Sequence, residues 1–222
     1  MIPAVSATSQ KNADPGSGRD RVAAMHEVMG AILAGGQSLR MGHDKAVLPM
    51  HDGRSMIEHV ADALRAACSN DQIVVVGGAA IQARGWLHIH DQRPSAGPLG
   101  GIEALLASGL AREYLVCPCD IPAIASDVLR FALQKREAMA TVLRVMGREH
   151  FEPLPARMAA LALPVVRRLL DSGARSVWRL MEGLPAAIVE IDAGRGDALR
   201  NINTPEEFDA LHQQSHGRGS GF

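Results

Sequence analysis

The chain lacks most of what would mark a secreted, membrane or nucleic-acid-binding protein. Its 222 residues hold three cysteines, Cys68, Cys117 and Cys119. That is too few, and an odd number, for a disulfide framework. Cys117-Pro118-Cys119 also misses the CxxC spacing of zinc and redox sites, so these cysteines read as small residues buried at a strand end. Aromatics make up only 3%, which argues against the base-stacking platform of RNA-binding sheets. The formal net charge is −1. No basic field exists to recruit nucleic acid, and any phosphate site must be local. No apolar run reaches the roughly 20 residues of a membrane span. The first stretch, Met1 to Asp20, has no apolar core of the secretory kind. The expected compartment is the cytoplasm, with neither nucleic acid nor membrane as a partner. Two common nucleotide signatures are missing as well. Neither GxxxxGK followed by Ser or Thr nor GxGxxG occurs, so P-loop ATPase and dehydrogenase readings lose their main support.

What is present suits one α/β domain with a real core: 47% hydrophobic and 21% charged residues. Residues 1–27 read as a disordered extension, 28–213 as a single domain and 214–222 as a loose tail. Short apolar runs alternate with amphipathic stretches. Strands are expected at Val28–Leu33, Ile73–Val76, Trp86–His90, Tyr114–Pro118, Ala140–Val145, Phe151–Met158 and Ile188–Ile191. Helices are expected after Ser55, with Glu58 completing a capping box, over Leu99–Ser108, after a Ser126 cap, over Leu163–Leu170 and over Pro205–His212. Gly194–Gly196 reads as a loop. This rhythm predicts a three-layer α/β/α, Rossmann-like, mostly parallel sheet. Ligands of such sheets sit beyond the carboxyl ends of the strands.

The unusual residues fall after strands. Following the first comes Leu33-Ala34-Gly35-Gly36-Gln37-Ser38-Leu39-Arg40-Met41-Gly42-His43-Asp44-Lys45. Adjacent glycines let backbone N–H groups approach an anion, and Arg40 and Lys45 bring two cations to the same loop. Solvated charges on a tight turn are the plainer alternative. The coincidence of glycines, cations and position favours a triphosphate cradle. Asp120 follows the fourth strand in Cys119-Asp120-Ile121-Pro122, where a carboxylate can hold Mg²⁺ on phosphate oxygens. A helix or turn cap is its bland reading. Asp91, ahead of Gly97-Pro98-Leu99-Gly100-Gly101, is placed to accept bonds from ribose or base, although a Gly-Pro turn opening a helix explains that stretch equally well. In Asn201-Ile202-Asn203-Thr204-Pro205-Glu206-Glu207, Thr204 is an N-cap before proline and Glu207 closes a capping box. Capping leaves Asn201 and Asn203 unexplained. His88 and His90 share a strand face, but without a third ligand a metal site is not expected there.

These segments, in this order, resemble the molybdenum cofactor guanylyltransferases. That family belongs to the nucleotidyltransferase fold of the nucleotide-diphospho-sugar transferase type. The likeness runs from Gly30 to Leu211. It implies Mg²⁺-dependent transfer of GMP from GTP to molybdenum-bound molybdopterin, giving molybdopterin guanine dinucleotide and pyrophosphate. By resemblance Leu33, Ala34, Gly35, Gly36 and Lys45 bind GTP, Asp91 contacts guanine or ribose, and Asp120 binds Mg²⁺. Arg40 and Lys45 steady the leaving pyrophosphate, and Asn201 and Asn203 lie at the pterin end. Some members carry Asn after the second strand; here Gly77-Gly78 stands there, so that contact is lost or passes to backbone at Gly77. Gly36 and the GPLGG segment favour guanine over cytosine. GTP and molybdopterin are the implied partners, with molybdopterin-delivering proteins and molybdoenzyme chaperones beyond them. The competing readings are a cytidylyl- or sugar-1-phosphate nucleotidylyltransferase of the same fold, and a non-catalytic nucleotide or molybdopterin carrier.

Overall fold

Strand β1 (His26–Leu33) has side chains buried on both sides: Met29, Ala31 and Leu33 join one apolar core and Ile32 the other. A strand buried on both faces belongs in the middle of a helix-covered sheet. In the computed structural model, residues 26–34, 46, 50, 52–77, 85–93, 95–202, 204, 206, 207 and 210 are described. The other strands are β2 (Ile73–Val76), β3 (Leu87–Ile89), β4 (Ala111–Pro118), β5 (Ala140–Val145), β6 (Glu152–Ala159) and β7 (Ala186–Ile191). They form one seven-stranded sheet in the order β3-β2-β1-β4-β6-β5-β7. Only β6 runs against its neighbours, pairing antiparallel with β4 and β5. The sheet is thus mostly parallel, as expected.

The helices are α1 (Met56–Cys68), α2 (Gly97–Ala107), α3 (Ser126–Ala132), α4 (Leu163–Asp171), α5 (Val177–Gly183) and a single turn α6 (Ala193–Gly196). Helices α2, α4 and α5 cover one face through Leu99, Ile102, Leu105, Val166, Leu170 and Leu180. Helices α1 and α3 cover the other through Ile57, Val60, Leu64, Val128 and Leu129. Residues 57, 60 and 64 recur at helical spacing, which is why α1 has one apolar stripe. It starts where the Glu58 carboxylate accepts the Ser55 N–H at 2.7 Å, the reciprocal cap its sequence predicts. No helix among the described residues is long and apolar enough to cross a membrane.

Three local expectations change. Ser126 is the first residue of α3 and not its cap; Ala125, extended at φ −101° and ψ 151°, holds that place. Gly194–Gly196 is part of a helical turn, because the Asp192 carboxylate accepts the Arg195 N–H at 3.0 Å and offsets the glycines. Helix α5 was absent from the sequence reading. Its Val177, Leu180 and Met181 are apolar at helical spacing, but the run is only seven residues long.

Candidate active site at the carboxyl edge of the sheet

Strands β3, β2, β1 and β4 run parallel, so their carboxyl ends share one edge. Register aligns them: Ile89 lies opposite Val76, Val76 opposite Leu33, and Leu33 opposite Pro118. The next residues of each chain segment are therefore neighbours. Ala34 donates its N–H to the Val76 carbonyl at 2.9 Å, and Cys119 donates to the Leu33 carbonyl at 3.3 Å. At about 4.8 Å per strand, Ile89 and Pro118 stand roughly 14 Å apart. Asp91 follows the strand at one end of that span and Asp120 the strand at the other.

Leu33 is buried and Ala34 half-buried at the start of the first loop. Gly35, Gly36, Arg40, Lys45 and Asn203 lie outside the described residues. Gly77 sits at φ +79°, a left-handed conformation that glycine and, next best, asparagine tolerate. Its N–H goes to the Ile89 carbonyl at 3.1 Å, so that donor already serves the sheet edge. Asp91 is exposed, and its Oδ1 accepts the Arg93 N–H at 2.9 Å. Asp120 is half-buried, and its carbonyl accepts the Ile202 N–H at 2.7 Å. That bond brings the exposed Asn201 to the Asp120 end of the edge. The Thr204 capping box forms as the sequence predicts: Glu207 Oε2 accepts the Thr204 N–H and Thr204 Oγ1 accepts the Glu207 N–H, both at 3.3 Å. Leu33, Ala34, Gly77, Asp91, Asp120 and Asn201 thus share one edge of the sheet.

Nucleophilic and metal-binding alternatives find little here. Cys117 is fully buried, and burial first, then the Cys119 and Asp120 charges, push its thiol well above the usual range. It stays protonated. His88 and His90 have ring centroids 5.9 Å apart. Both His88 ring nitrogens are buried without a hydrogen-bond partner among the described residues, and burial followed by His90 lowers its pKa. A neutral core imidazole fits those facts. Among the described residues no group of three or more His, Cys, Asp or Glu could hold a metal. A closed protein cage is therefore not on offer. Mg²⁺ commonly takes only one or two carboxylates and completes its shell with water and substrate phosphate. Asp120, with hard oxygen donors on the ligand edge, fits that mode.

Residues 30–187 match the MobA-like NTP transferase domain. The chain belongs to that family. It is a nucleotidyltransferase of molybdenum cofactor biosynthesis. It is 32% identical over 185 residues to a molybdenum cofactor guanylyltransferase of Xanthomonas euvesicatoria, covering 82% of this chain and 93% of the relative. A probable molybdenum cofactor guanylyltransferase of Rhodopirellula baltica is 29% identical, over 84% of this chain and 92% of its own. Among solved structures, molybdopterin-guanine dinucleotide biosynthesis protein A from Archaeoglobus fulgidus superposes with a TM-score of 0.66 at 22% identity, covering 85% and 99% of the two chains. A 4-diphosphocytidyl-2C-methyl-D-erythritol synthase from Anaerococcus prevotii reaches 0.64 at 12% identity, covering 86% and 96%. These two likenesses establish the fold.

Two residues beside Asp91 are not expected from the sequence. Arg93 and Glu103 form an ion pair at 2.7 Å beside Asp91. One signal pointed to it: Glu103 is the single charged residue in α2.

Proposed function

We propose that the chain transfers GMP from GTP to molybdenum-bound molybdopterin, giving molybdopterin guanine dinucleotide and pyrophosphate, with Mg²⁺ as the metal and the cytoplasm as the compartment. The observation that carries this reading is the Cys119-to-Leu33 backbone bond. It starts the glycine-rich segment and the Asp120 carboxylate from the same point of the sheet edge, where a phosphate chain can meet both.

The chemistry asks little acid–base work of the protein. A terminal phosphate oxygen of the acceptor, already anionic at neutral pH, attacks the α-phosphorus of GTP. The new P–O bond forms as the bond to the β-phosphate oxygen breaks, and pyrophosphate leaves with that electron pair. Alignment and charge neutralisation then make up most of the catalysis. Asp120 would hold Mg²⁺, which when bound would supply Lewis-acid charge at the phosphates. Leu33, Ala34, Gly35 and Gly36 line the phosphate loop. Arg40 and Lys45 steady the leaving pyrophosphate. Asp91 keeps acceptor capacity for guanine or ribose, since a carboxylate offers about four lone-pair sites and one is committed to Arg93. Asn201 and Asn203 face the pterin side. Gly77 shapes the floor between the two ends.

Pyrophosphate release with each of the four nucleoside triphosphates, molybdopterin and Mg²⁺ tests this. GTP should be the preferred donor, and Asp120→Asn should lower kcat on the order of 10²–10³-fold, as loss of one preorganised charge does, without loss of fold. Full turnover by the Asp120 variant would remove the metal assignment. Preference for CTP would make the chain a cytidylyltransferase, and GTP binding without pyrophosphate release would make it a carrier.

A further inference from the structure

We propose that Arg93 is a positioning residue for the nucleotide, with α2 as the template that fixes Asp91 through it. The inference rests on the reading of Asp91 as a nucleotide contact. The loop leaving β3 begins with an edge strand of three residues, so sheet hydrogen bonds do little to hold it. Arg93 supplies the hold instead. Its N–H donates to Asp91 Oδ1 at 2.9 Å, and its carbonyl accepts the Ala96 N–H at 3.1 Å. Its guanidinium grips the Glu103 carboxylate with both prongs, Nε to Oε2 at 2.7 Å and Nη2 to Oε1 at 3.2 Å. Nη1 reaches Asp171 Oδ1 of α4 at 2.7 Å. Glu103 is only 8% exposed and takes a second cation, Arg167 of α4, at 3.2 Å.

Helix α2 is built to receive this pair. Gly100 and Glu103 are three residues apart and so lie on one face. The Asp91 carboxylate rests over Gly100: a Cβ there would come within 2.9 Å of Oδ1 and 3.0 Å of Oδ2, and within 2.6 Å of Ala96 Cβ at the end of the same loop. One turn along, Glu103 catches Arg93. Asp91 and Arg93, two apart in the loop, are thereby seated on two successive turns of a helix that the core holds rigid. An exposed carboxylate held this firmly suits one that must meet a ligand at a set distance. The Arg93 and Asp171 side chains are 39% and 65% exposed, so the arrangement adds little to global stability. Removing Arg93 leaves Glu103 paired with Arg167, and the fold should survive.

Steady-state kinetics with GTP, together with melting temperatures, tests the proposal. Arg93→Gln should raise KM for GTP roughly tenfold while kcat changes by less than about threefold, the signature of lost ground-state positioning. Arg93→Lys keeps the charge but not the fork and should recover only part of the affinity. The double variant Asp91→Asn/Arg93→Gln should be no worse than Asp91→Asn alone, because coupled residues are non-additive. Arg144→Gln, which breaks an exposed pair with Glu190 on the far side of the sheet, serves as the control with KM unchanged. An unaltered KM in Arg93→Gln, or additive losses in the double variant, would overturn the positioning role while the enzyme reading stands. A wild-type protein that releases no pyrophosphate from any triphosphate sinks the enzyme reading, and this proposal with it.

Discussion

Arg157 shows how much a single buried charge asks of its surroundings. Its side chain has no solvent exposure, and burial, the larger influence, lowers its pKa against the pull of Glu113. The guanidinium donates to Glu113 Oε1 at 3.1 Å, the Ala138 carbonyl at 2.6 Å and Thr141 Oγ1 at 3.2 Å. Glu113, 13% exposed, also takes Arg136 at 2.9 Å. Removing one partner of a buried pair costs more than the pair contributes, because a charge is left without compensation. Glu113→Ala should therefore lower the unfolding free energy by about 3 kcal/mol in urea titration. A loss below about 1 kcal/mol would show that the carbonyls and Thr141 satisfy the guanidinium unaided. Asp91 follows a different logic: it stays exposed, with the Arg93 N–H on its Oδ1.

At the scale of elements, fit between a helix and the strand beneath it sets tolerance. Gly30 lies mid-strand in β1, under α1. A Cβ there would stand 2.9 Å from Ile73 Cδ1 and 3.0 Å from Leu64 Cβ. The isoleucine methyl can turn aside; the Leu64 Cβ moves only with the helix. Gly30→Ala should cost about 1–3 kcal/mol through overpacking, measured by thermal or chemical unfolding. An unchanged melting temperature would mean that α1 slides freely on the sheet. Helix α2 is the counterpart on the other face. A Cβ at Gly101 would stand 3.0 Å from Val76 Cγ1, so glycine there lets the helix close on β2, while Gly100 and Glu103 hold the Asp91 loop. Spacing made the glycine run visible as a helix start. It said nothing of which glycine faces the sheet and which faces a carboxylate.

At the scale of the whole molecule, parallel strands gather separate segments at one edge. Anything that binds there binds only the folded chain and raises its melting temperature by mass action. GTP with Mg²⁺ at about 100 times its dissociation constant should add about 2.7 kcal/mol to the folded state, seen as a rise in melting temperature that CTP fails to match. A chelator should remove most of that rise. Equal shifts from all triphosphates would point to phosphate recognition without base selection. A hollow of about 650 Å³ lined by His26, Asn70, Gln72 and Arg136 lies at the amino end of β1, on the opposite edge. It should not respond to nucleotide.

Much of this was legible along the chain, for a physical reason: strands, caps and phosphate-binding turns are built from residues close in sequence. Ile73–Val76 is a strand as expected, Ser55 and Glu58 cap α1, and Thr204 and Glu207 form their box. Ala34, Gly77, Asp91 and Asp120, each placed after a strand, fall on one edge, because parallel topology leaves those segments nowhere else to go. Other features rest on partners distant in sequence. The seven residues of α5 gain helicity from packing against the core. Arg93 meets Glu103 ten residues on and Asp171 seventy-eight residues on. Short-range chemistry determined the strands, the loops and the kind of ligand they suit. Tertiary contact alone decided which side chain steadies which, since no local pattern records a neighbour that folding brings from far along the chain.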